Sequence, residues 1–306
     1  MHMLSAHQTR QALPFGPLMD MLRSVVSTFY RGLVVCPERL VVPTLDKQGL
    51  VMSMVACAED ILTHKLLTIF PQNTTMPTIQ GQVTCLDART GRFLFALDGI
   101  TTTERRTAAM SMLGLECFCP PRLKTVLLIG TGAQARVHLE ALNALHPGLH
   151  VFVRGRTPKS VQTLVEGPYP NLHVQAAPPE PQMHYDLVLT VTSSRKILFD
   201  QDASPETLVI GVGAYRPDMI EIGPGIVQNS LCVVDDLIGA PTEAGDLIQA
   251  NKNWSEVRSL AEFLELEKEP DPDTTPPVQP VFFKSVGCAA WDLAACRLAH
   301  ASIPTL

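Results

Sequence analysis

The sequence has no dense run of lysines or arginines and no long apolar segment. Its 24 Lys and Arg residues are outnumbered by 30 Asp and Glu residues, which gives a formal net charge of -6 at pH 7. This balance creates no positive field for a polyanion, so we expect no nucleic-acid partner. No uncharged apolar run approaches the roughly 20 residues that a membrane helix requires. We therefore expect no association with a membrane.

Signals for export, disulfide formation and metal binding are missing as well. The first residues lack the basic head and apolar centre of a secretory signal. The eight cysteines are scattered, and Cys117 and Cys119 have a spacing that suits neither zinc ligands nor a CxxC redox pair. We expect reduced thiols, a cytoplasmic location and no metal site.

The first third of the chain predicts a helix followed by an antiparallel sheet. Apolar residues between Phe15 and Tyr30 recur at the spacing of an amphipathic helix. The β-like runs that follow are residues 39–43, 51–56, 64–70, 79–86 and 93–98. Their short connections, including a turn at 87–91 in which Gly91 supplies the positive φ, indicate antiparallel pairing. The threonines at 101–103 are predicted to cap the next helix.

A different pattern begins after Pro120 and Pro121. Strands and helices alternate from residue 126 to about residue 267, which is typical of a parallel sheet covered by helices on both faces. The predicted strands are 126–129, 151–153, 187–191, 208–211 and 231–234. A stretch rich in proline and aspartate, 269–277, is predicted to be a linker.

The predicted fold class is α/β with two domains, because 306 residues exceed the usual size of one domain. Residues 120–277 are predicted to form a Rossmann-type, doubly wound dinucleotide-binding domain that includes the linker. Residues 1–119 are predicted to form an α+β domain that the C-terminal segment 278–306 completes. That segment has one short strand and one helix, which are too small to fold alone.

A glycine-rich segment at the start of the second predicted domain indicates a cofactor. The strand 126–129 leads directly into a GxGxxA pattern and then into a helix. The first glycine permits the tight turn, and the second lets a pyrophosphate approach the backbone at the helix N-terminus. The predicted cofactor contacts are Gly130, Thr131, Gly132, Ala133 and Gln134, together with Thr192 after the strand 187–191.

The end of the next predicted strand bears on which nicotinamide cofactor is used. An NAD site normally has Asp or Glu there to accept a hydrogen bond from the ribose 2′-hydroxyl. This chain has Arg154, Gly155, Arg156 and Thr157 instead. Because a guanidinium can hold a 2′-phosphate bidentately, we predict NADPH, bound by Arg156 and Thr157 and secondarily by Arg154, with NADH possible. The alternative is that these arginines are solvated surface residues.

Three cations lie in otherwise apolar segments of the first predicted domain. Arg39 precedes a β-like run, Lys65 interrupts the run 61–70, and Arg106 follows the threonines near a helix start. Each alone could be an exposed charge. Together they would form a carboxylate-binding site, but spacing along the chain does not determine whether they converge.

With these motifs the chain resembles the ornithine cyclodeaminase/μ-crystallin family, which includes ketimine reductases. The matching segments are 37–43, 65–70, 77–81, 97–99, 106–109, 130–132, Glu-Ala-Gly-Asp at 243–246, Phe-Lys-Ser-Val-Gly at 283–287, and Asp292. The resemblance implies a homodimer whose first domain binds substrate and forms the subunit contact. It also implies that Arg39, Lys65 and Arg106 bind the substrate carboxylate, with Lys65 and Arg106 catalytic and Lys65 beside the reacting C=N bond.

The predicted activity is therefore NAD(P)H-dependent reduction of a cyclic imine carboxylate. The expected substrates are Δ1-pyrroline-2-carboxylate and Δ1-piperideine-2-carboxylate, which give L-proline and L-pipecolate. Cyclodeaminases of this family place an acid where our alignment puts Tyr215, although a small shift would bring Asp218 there. The alternatives are an ornithine cyclodeaminase, an amino-acid dehydrogenase acting on an open-chain imine, and a μ-crystallin-like protein that holds NADPH and a ligand without turnover.

Overall fold

A computed structural model describes residues 2–120, 122–179, 184–266 and 279–302. The chain divides into two compact units, the first comprising Met1–Ala109 with Gly287–Leu306 and the second comprising Met110–Val286. The predicted boundaries, 119/120 and 277/278, therefore differ from the observed ones. The predicted linker 269–277 lies outside the described residues.

The elements up to residue 117 form one sheet and three helices. The strands are β1 (His2–Met3), β2 (Leu40–Pro43), β3 (Leu50–Cys57), β4 (Ile61–Ile69), β5 (Ile79–Asp87) and β6 (Phe93–Asp98). The helices are α1 (Ala6–Ala12), α2 (Phe15–Tyr30) and α3 (Gly99–Cys117). Strands β2 to β6 form an antiparallel meander, and β1 pairs in parallel with β6. The helix predicted from Phe15 and the antiparallel sheet are confirmed.

Strands and helices alternate over most of the remaining chain. The strands are β7 (Thr125–Ile129), β8 (His150–Arg154), β9 (His173–Ala176), β10 (Leu187–Thr190), β11 (Arg195–Phe199), β12 (Leu208–Gly211), β13 (Ile220–Ile222), β14 (Leu231–Val234), β15 (Arg258–Ser259) and β16 (Val281–Lys284). The helices are α4 (Ala133–Leu145), α5 (Pro158–Val165), α6 (Pro224–Asn229), α7 (Ala240–Glu243), α8 (Gly245–Gln249), α9 (Leu260–Leu266) and α10 (Ala289–Ser302), with a 3₁₀ turn at Trp254–Glu256.

The sheet of the first unit buries one face, and α10 packs against β3, β4 and β5. Side chains along β4 alternate, so that Ile61, Thr63, Lys65 and Leu67 are buried. This is the period of two expected for a strand with one covered face. Lys65 therefore occupies a core-facing position in a series of otherwise uncharged side chains.

Helix α3 begins earlier than the threonine run predicts. The helix starts at Gly99, and the carboxylate of Asp98 accepts a hydrogen bond from the Thr101 backbone N–H at 2.8 Å. The hydroxyls of Thr102 and Thr103 instead donate to the backbone carbonyls of Asp98 and Gly99. The predicted threonine cap is wrong because Asp98, the last residue of β6, also supplies the oxygen acceptor that a helix start requires.

The second unit is built on eight parallel strands in the order β15-β14-β16-β12-β10-β7-β8-β9. Strand β8 lies on one side of β7 and β10 on the other, so the order reverses beside β7. In sheets of this type, ligands bind outside the carboxyl ends of the strands at such a switch point. The predicted doubly wound fold is confirmed, and its geometry points to the loops that follow β7 and β10.

The C-terminal segment is shared between the two units rather than returning whole to the first. Strand β16 pairs in parallel with both β12 and β14, inside the sheet of the second unit. Phe282 and Phe283 are fully buried there. The expectation for residues 278–286 is therefore wrong, because a strand with apolar side chains on both faces fits the middle of a covered parallel sheet. The part of the segment that belongs to the first unit begins at Gly287 and contains α10.

No helix in the described ranges is long and apolar enough to cross a membrane. Within those same ranges, no cluster of three or more His, Cys, Asp or Glu side chains could hold a metal ion. All eight cysteines are free thiols.

Candidate active site

Two buried side chains form an ion pair in the first unit. Lys65 is 2% exposed and Asp292 is 0% exposed. The Lys65 Nζ donates to both carboxylate oxygens of Asp292, each at 3.2 Å. Asp292 lies in the first turn of α10, where the positive end of the helix dipole also favours a carboxylate.

The other two predicted cations lie in the same cluster. Arg106 is buried on α3, and its Nε is 3.4 Å from Asp292 Oδ1. Arg39 Nη2 donates to the backbone carbonyl of Gly287 at 2.7 Å. A Cβ on Gly287 would lie 2.6 Å from Arg106 Nη1, so the lack of a side chain there makes room for the guanidinium. The structure thus brings together the three cations that the sequence leaves apart.

Burial and charge act in opposite directions on Lys65. The pKa of Lys65 is lowered from 10.5 to about 8: burial is the largest cause, the charges of Arg106 and Arg39 also lower it, and Asp292 partly offsets them. The ammonium is therefore close to titrating under physiological conditions. A group with such a pKa can hold a proton at neutral pH and release it to a neighbouring base.

The cluster has the composition of an anion site. Among the residues that the structure describes, Lys65 and Arg106 share one carboxylate, that of Asp292, so this trio carries a net positive charge. Buried charge of one sign is costly unless a counter-ion offsets it. A small carboxylate would provide that counter-ion, and the planar Arg106 guanidinium suits its geometry.

Asp292 is the site residue that the sequence reasoning missed. It was noted as part of the family resemblance, but no role was assigned to it. The signal is a single acid in the apolar helix Ala289–Ser302, where neighbouring side chains are almost all apolar. Such a carboxylate needs a buried cation, and Lys65 is the matching charge on the inward face of β4.

In the second unit, the glycine-rich loop has the predicted geometry. Gly130 follows β7 with a φ of +133°, and a Cβ there would lie 2.9 Å from Val191 Cγ2. Gly132 is the N-cap of α4 without a side-chain cap, and a Cβ there would meet nothing within 4 Å. The first turn of α4 thus has no side-chain cap for its N–H groups, and the space beside Gly132 is open, which suits a pyrophosphate.

The residues after β8 differ in how they are placed. Arg154 is partly buried, whereas Arg156 and Thr157 are exposed. The Arg156 side chain makes no hydrogen bond or ion pair within the described ranges. The Thr157 hydroxyl accepts from Ser160 N at 3.2 Å and caps α5. Arg156 is therefore free to reach a ligand, while Thr157 already has a structural role.

Thr192 lies at the carboxyl end of β10, beside the glycine loop. Its methyl carbon would be 3.2 Å from a Cβ on Gly130, which shows how closely the two loops approach. Its backbone N–H donates to Glu221 Oε1 at 2.6 Å, and its hydroxyl oxygen accepts from Ser194 N at 3.1 Å. Thr192 thus lies at the switch point, and its contact with the cofactor stays a prediction.

The position that bears on cyclodeamination has no free acid. The residue at this position is Tyr215, a partly buried phenol rather than an acid. The exposed Asp218 carboxylate is engaged by Arg216 Nε at 2.8 Å and by Arg195 Nη2 at 2.9 Å. The Arg216 hydrogen bond and charge lower the pKa of Asp218. An alignment shift that substitutes Asp218 for Tyr215 would therefore bring in a carboxylate that two arginines already hold.

Comparison with known proteins gives matches along the whole chain. The model of the ornithine cyclodeaminase/mu-crystallin family matches residues 1–304. The Delta(1)-pyrroline-2-carboxylate/Delta(1)-piperideine-2-carboxylate reductase of Azospirillum brasilense is 43% identical over 300 residues, which cover 96% of this chain and 94% of that protein. The ketimine reductase mu-crystallin of Mus musculus is 30% identical and covers 98% of this chain and 96% of its own length.

Solved structures show the same fold at lower sequence identity. The Delta(1)-pyrroline-2-carboxylate reductase of Thermococcus litoralis, solved with NADH and L-proline, has a TM-score of 0.85 to this chain at 22% identity. The alignment covers 98% of this chain and 97% of that one. This likeness shows that the shared fold extends over nearly the whole chain.

Proposed function

This chain belongs to the ornithine cyclodeaminase/mu-crystallin family, and we propose that it is an NAD(P)H-dependent reductase of cyclic imine carboxylates. The observation that carries the proposal is a cationic cluster that suits a small carboxylate: Lys65 and Arg106 are buried against Asp292, and the partly buried Arg39 lies nearby. The 43% identity to a Delta(1)-pyrroline-2-carboxylate/Delta(1)-piperideine-2-carboxylate reductase supports the same substrate class. The expected products are L-proline and L-pipecolate.

In the proposed reaction, Arg106 and Arg39 hold the substrate carboxylate while the Lys65 ammonium lies beside the C=N bond. When bound at the glycine loop, a nicotinamide cofactor would supply the hydride that reduces the imine carbon. The Lys65 ammonium stabilises the developing charge on nitrogen and supplies its proton where the ring nitrogen is not already protonated. The residues contribute orientation and electrostatics, which is where a preorganised cationic cluster is most effective.

Assays with a panel of substrates test this proposal against its rivals. We expect oxidation of NADPH with both cyclic imines and negligible release of ammonia from L-ornithine with catalytic NAD⁺. Cyclodeamination requires a neutral side-chain amine, and Tyr215 places a phenol where the cyclodeaminases have a carboxylate that can accept the amine's proton. The matched variant is Tyr215→Asp, in which ammonia release should increase.

The outcomes of this panel separate the candidate functions. Brisk ammonia release by the unmodified protein would identify a cyclodeaminase instead. NAD⁺ reduction with open-chain amino acids, without activity on cyclic imines, would identify an amino-acid dehydrogenase. Tight NADPH binding without turnover of any of these substrates would indicate a binding protein.

We further propose that the cofactor is bound at the glycine loop and that NADPH is preferred over NADH. The supporting observation is Arg156, which is exposed at the end of β8 in a segment without an acid. A charge-assisted contact to the 2′-phosphate contributes about 1.5–3 kcal/mol, which corresponds to roughly ten- to a hundredfold in affinity. Arg156→Ala should therefore raise the KM for NADPH by about that factor and leave the KM for NADH unchanged.

The control for this variant is Lys159→Ala, which removes an exposed cation from the first turn of α5. We expect little change in cofactor preference from it, since non-specific surface charge contributes weakly at physiological salt. Equal KM values for both cofactors in the unmodified protein would contradict the proposed preference.

We also propose that the chain forms a homodimer through the outer face of the first sheet. Leu40, Val42, Val55 and Leu66 are 62%, 49%, 37% and 37% exposed. Strand pairing places Leu40 and Leu66 on either side of Ser53 in one row across β2, β3 and β4. The two leucines therefore lie on the same face of the sheet. A contiguous exposed apolar patch of this kind is typical of a protein interface. A solution mass equal to one chain would contradict the proposal.

A further inference from the structure

Two buried charged residues in the segments that carry the family resemblance lie outside the substrate cluster and the glycine loop. Asp246 ends the segment 243–246, and Lys284 lies in the segment 283–287. Both side chains are 0% exposed, and Lys284 Nζ is 2.8 Å from Asp246 Oδ2. The other carboxylate oxygen of Asp246 accepts from the backbone N–H groups of Glu221 at 2.7 Å and Ile222 at 3.0 Å. The pair therefore holds the backbone of β13.

The side chain that β13 presents is a third buried charge, Glu221, which is 0% exposed. Its Oε1 accepts from Thr192 N at 2.6 Å. Its Oε2 accepts from Gly213 N at 2.7 Å, Ala214 N at 3.2 Å and Thr190 Oγ1 at 3.1 Å. One carboxylate thus joins the end of β10 and the loop after it to the loop after β12.

These two loops are packed backbone to backbone with little room for adjustment. A Cβ on Gly213 would clash with the backbone of Thr192, and a Cβ on Gly130 would lie 3.1 Å from the backbone oxygen of Val191. The loops after β7, β10 and β12 therefore form a continuous layer at the carboxyl edge of the sheet. This edge is where a doubly wound sheet receives its dinucleotide.

The charges in this network are expensive to bury. Burial raises the pKa of Glu221, Asp246 raises it further, and the positive charge of Lys284 lowers it. All four of these donors point hydrogens at Glu221, so the ionised carboxylate is the form that satisfies them. An apolar residue would avoid the desolvation cost, but it would leave three backbone N–H groups without an acceptor.

We propose that Glu221, held by the Lys284–Asp246 pair, is a positioning residue for the nicotinamide cofactor. It fixes the backbone of Thr192 and of residues 213–214 in the conformation that accepts the bound dinucleotide. The Thr192 amide donates to Glu221, so the orientation of this backbone depends on that carboxylate. This inference rests on the proposed cofactor site, and it does not depend on which substrate is reduced.

The test compares Glu221→Gln with Asp186→Asn. Asp186 offers a matched control, because one of its carboxylate oxygens accepts from Lys124 N, Thr125 N and Thr125 Oγ1 at the opposite, amino edge of the same sheet. Both variants replace a carboxylate that binds backbone N–H groups, and both should lower the melting temperature. Only Glu221→Gln turns an amide N–H₂ toward the loops of the carboxyl edge.

NADPH affinity is measured by fluorescence titration, without turnover. We expect Glu221→Gln to weaken NADPH binding at least about tenfold, equivalent to about 1.4 kcal/mol, while Asp186→Asn changes it less than about twofold. Hydrogen exchange without cofactor should show faster exchange of the Thr192, Gly213 and Ala214 amides in Glu221→Gln alone. If Glu221→Gln does not fold, Glu221→Asp replaces it, since its shorter side chain keeps the charge but cannot reach both loops.

The outcomes separate this inference from the proposed function. NADPH affinity equal in Glu221→Gln, Asp186→Asn and unmodified protein would overturn the positioning role, whatever the substrate. Equal weakening in both variants would assign the effect to general loss of stability and would also overturn it. An unmodified protein that binds NADPH but reduces no cyclic imine would contradict the proposed function and leave the role of Glu221 intact.

Discussion

Arg106→Ala should raise the KM for the cyclic imine about a hundredfold and leave the affinity for NADPH within about twofold. A charged hydrogen-bonded contact contributes about 1.5–3 kcal/mol, and the upper end corresponds to this factor. The variant also leaves Asp292 with Lys65 as its only partner in the ion-paired trio. Steady-state kinetics with each cyclic imine, together with NADPH titration, measure both quantities.

The matched control is the preceding residue of the same helix. Arg105 is also buried, but its Nε donates to the Leu13 carbonyl at 2.6 Å and its guanidinium lies over the Phe15 ring. Arg105→Ala should lower the melting temperature without a large change in the KM for the imine. If the two variants raise this KM equally, loss of packing around α3 explains the effect, and the carboxylate site lies elsewhere.

The second large effect is expected in the pH dependence of imine reduction. The pKa of Lys65 is about 8, and the form proposed to act is the ammonium, so kcat/KM should fall as the pH rises through about 8. Below that pH the ammonium is present and attracts the substrate carboxylate. Above it the neutral amine neither attracts the carboxylate nor donates a proton. Lys65→Ala should lower kcat and remove this dependence.

Asp292→Asn should move the alkaline limb of this profile to lower pH. The Asp292 carboxylate raises the pKa of Lys65, so its removal favours the neutral amine. A charge-assisted hydrogen bond contributes about 1.5–3 kcal/mol, and one pH unit corresponds to about 1.4 kcal/mol. The limb should therefore shift by about one to two pH units. The measurement is kcat/KM between pH 6 and about pH 10, with folding checked by thermal melting.

A second acid that pairs with α10 provides the control for this experiment. Asp60 accepts from Arg297 Nε at 2.8 Å near the surface, whereas Asp292 is fully buried in the first turn of α10. Asp60→Asn should leave the pH profile unchanged, because surface ion pairs contribute little and this one is not in contact with Lys65. A profile that is the same in Asp292→Asn and in the unmodified protein would show that Asp292 does not control Lys65.

Short-range sequence patterns predict much of the fold. The apolar spacing between Phe15 and Tyr30 predicts a helix that has those bounds in the structure, and the turn before Gly91 joins β5 to β6 as expected. The glycine pattern after β7 also predicts its own conformation, since the positive φ of Gly130 is a local requirement. These features depend on neighbours a few residues apart, which the sequence displays directly.

Features that depend on distant partners were harder to predict. The boundary between the units falls within α3, and no change of composition marks it, because one continuous helix contributes to both. Strand β16 looked like part of a small C-terminal appendage. Its place between β12 and β14 depends on strands about 50 and 70 residues earlier in the chain. Strand β16 supplies hydrogen-bond partners for the backbone N–H and C=O groups along the facing edges of both strands.

The sequence by itself determined the fold class, the glycine loop and the identity of the three candidate cations, because each follows from residue type and short-range spacing. The tertiary structure alone decided that Lys65 and Arg106 meet at Asp292, which is 227 residues from Lys65. It also decided that Glu221 holds two loops through backbone N–H groups. Backbone donors carry no signal of residue type, and a buried charge reveals its partner only when packing excludes water and brings the opposite charge within reach.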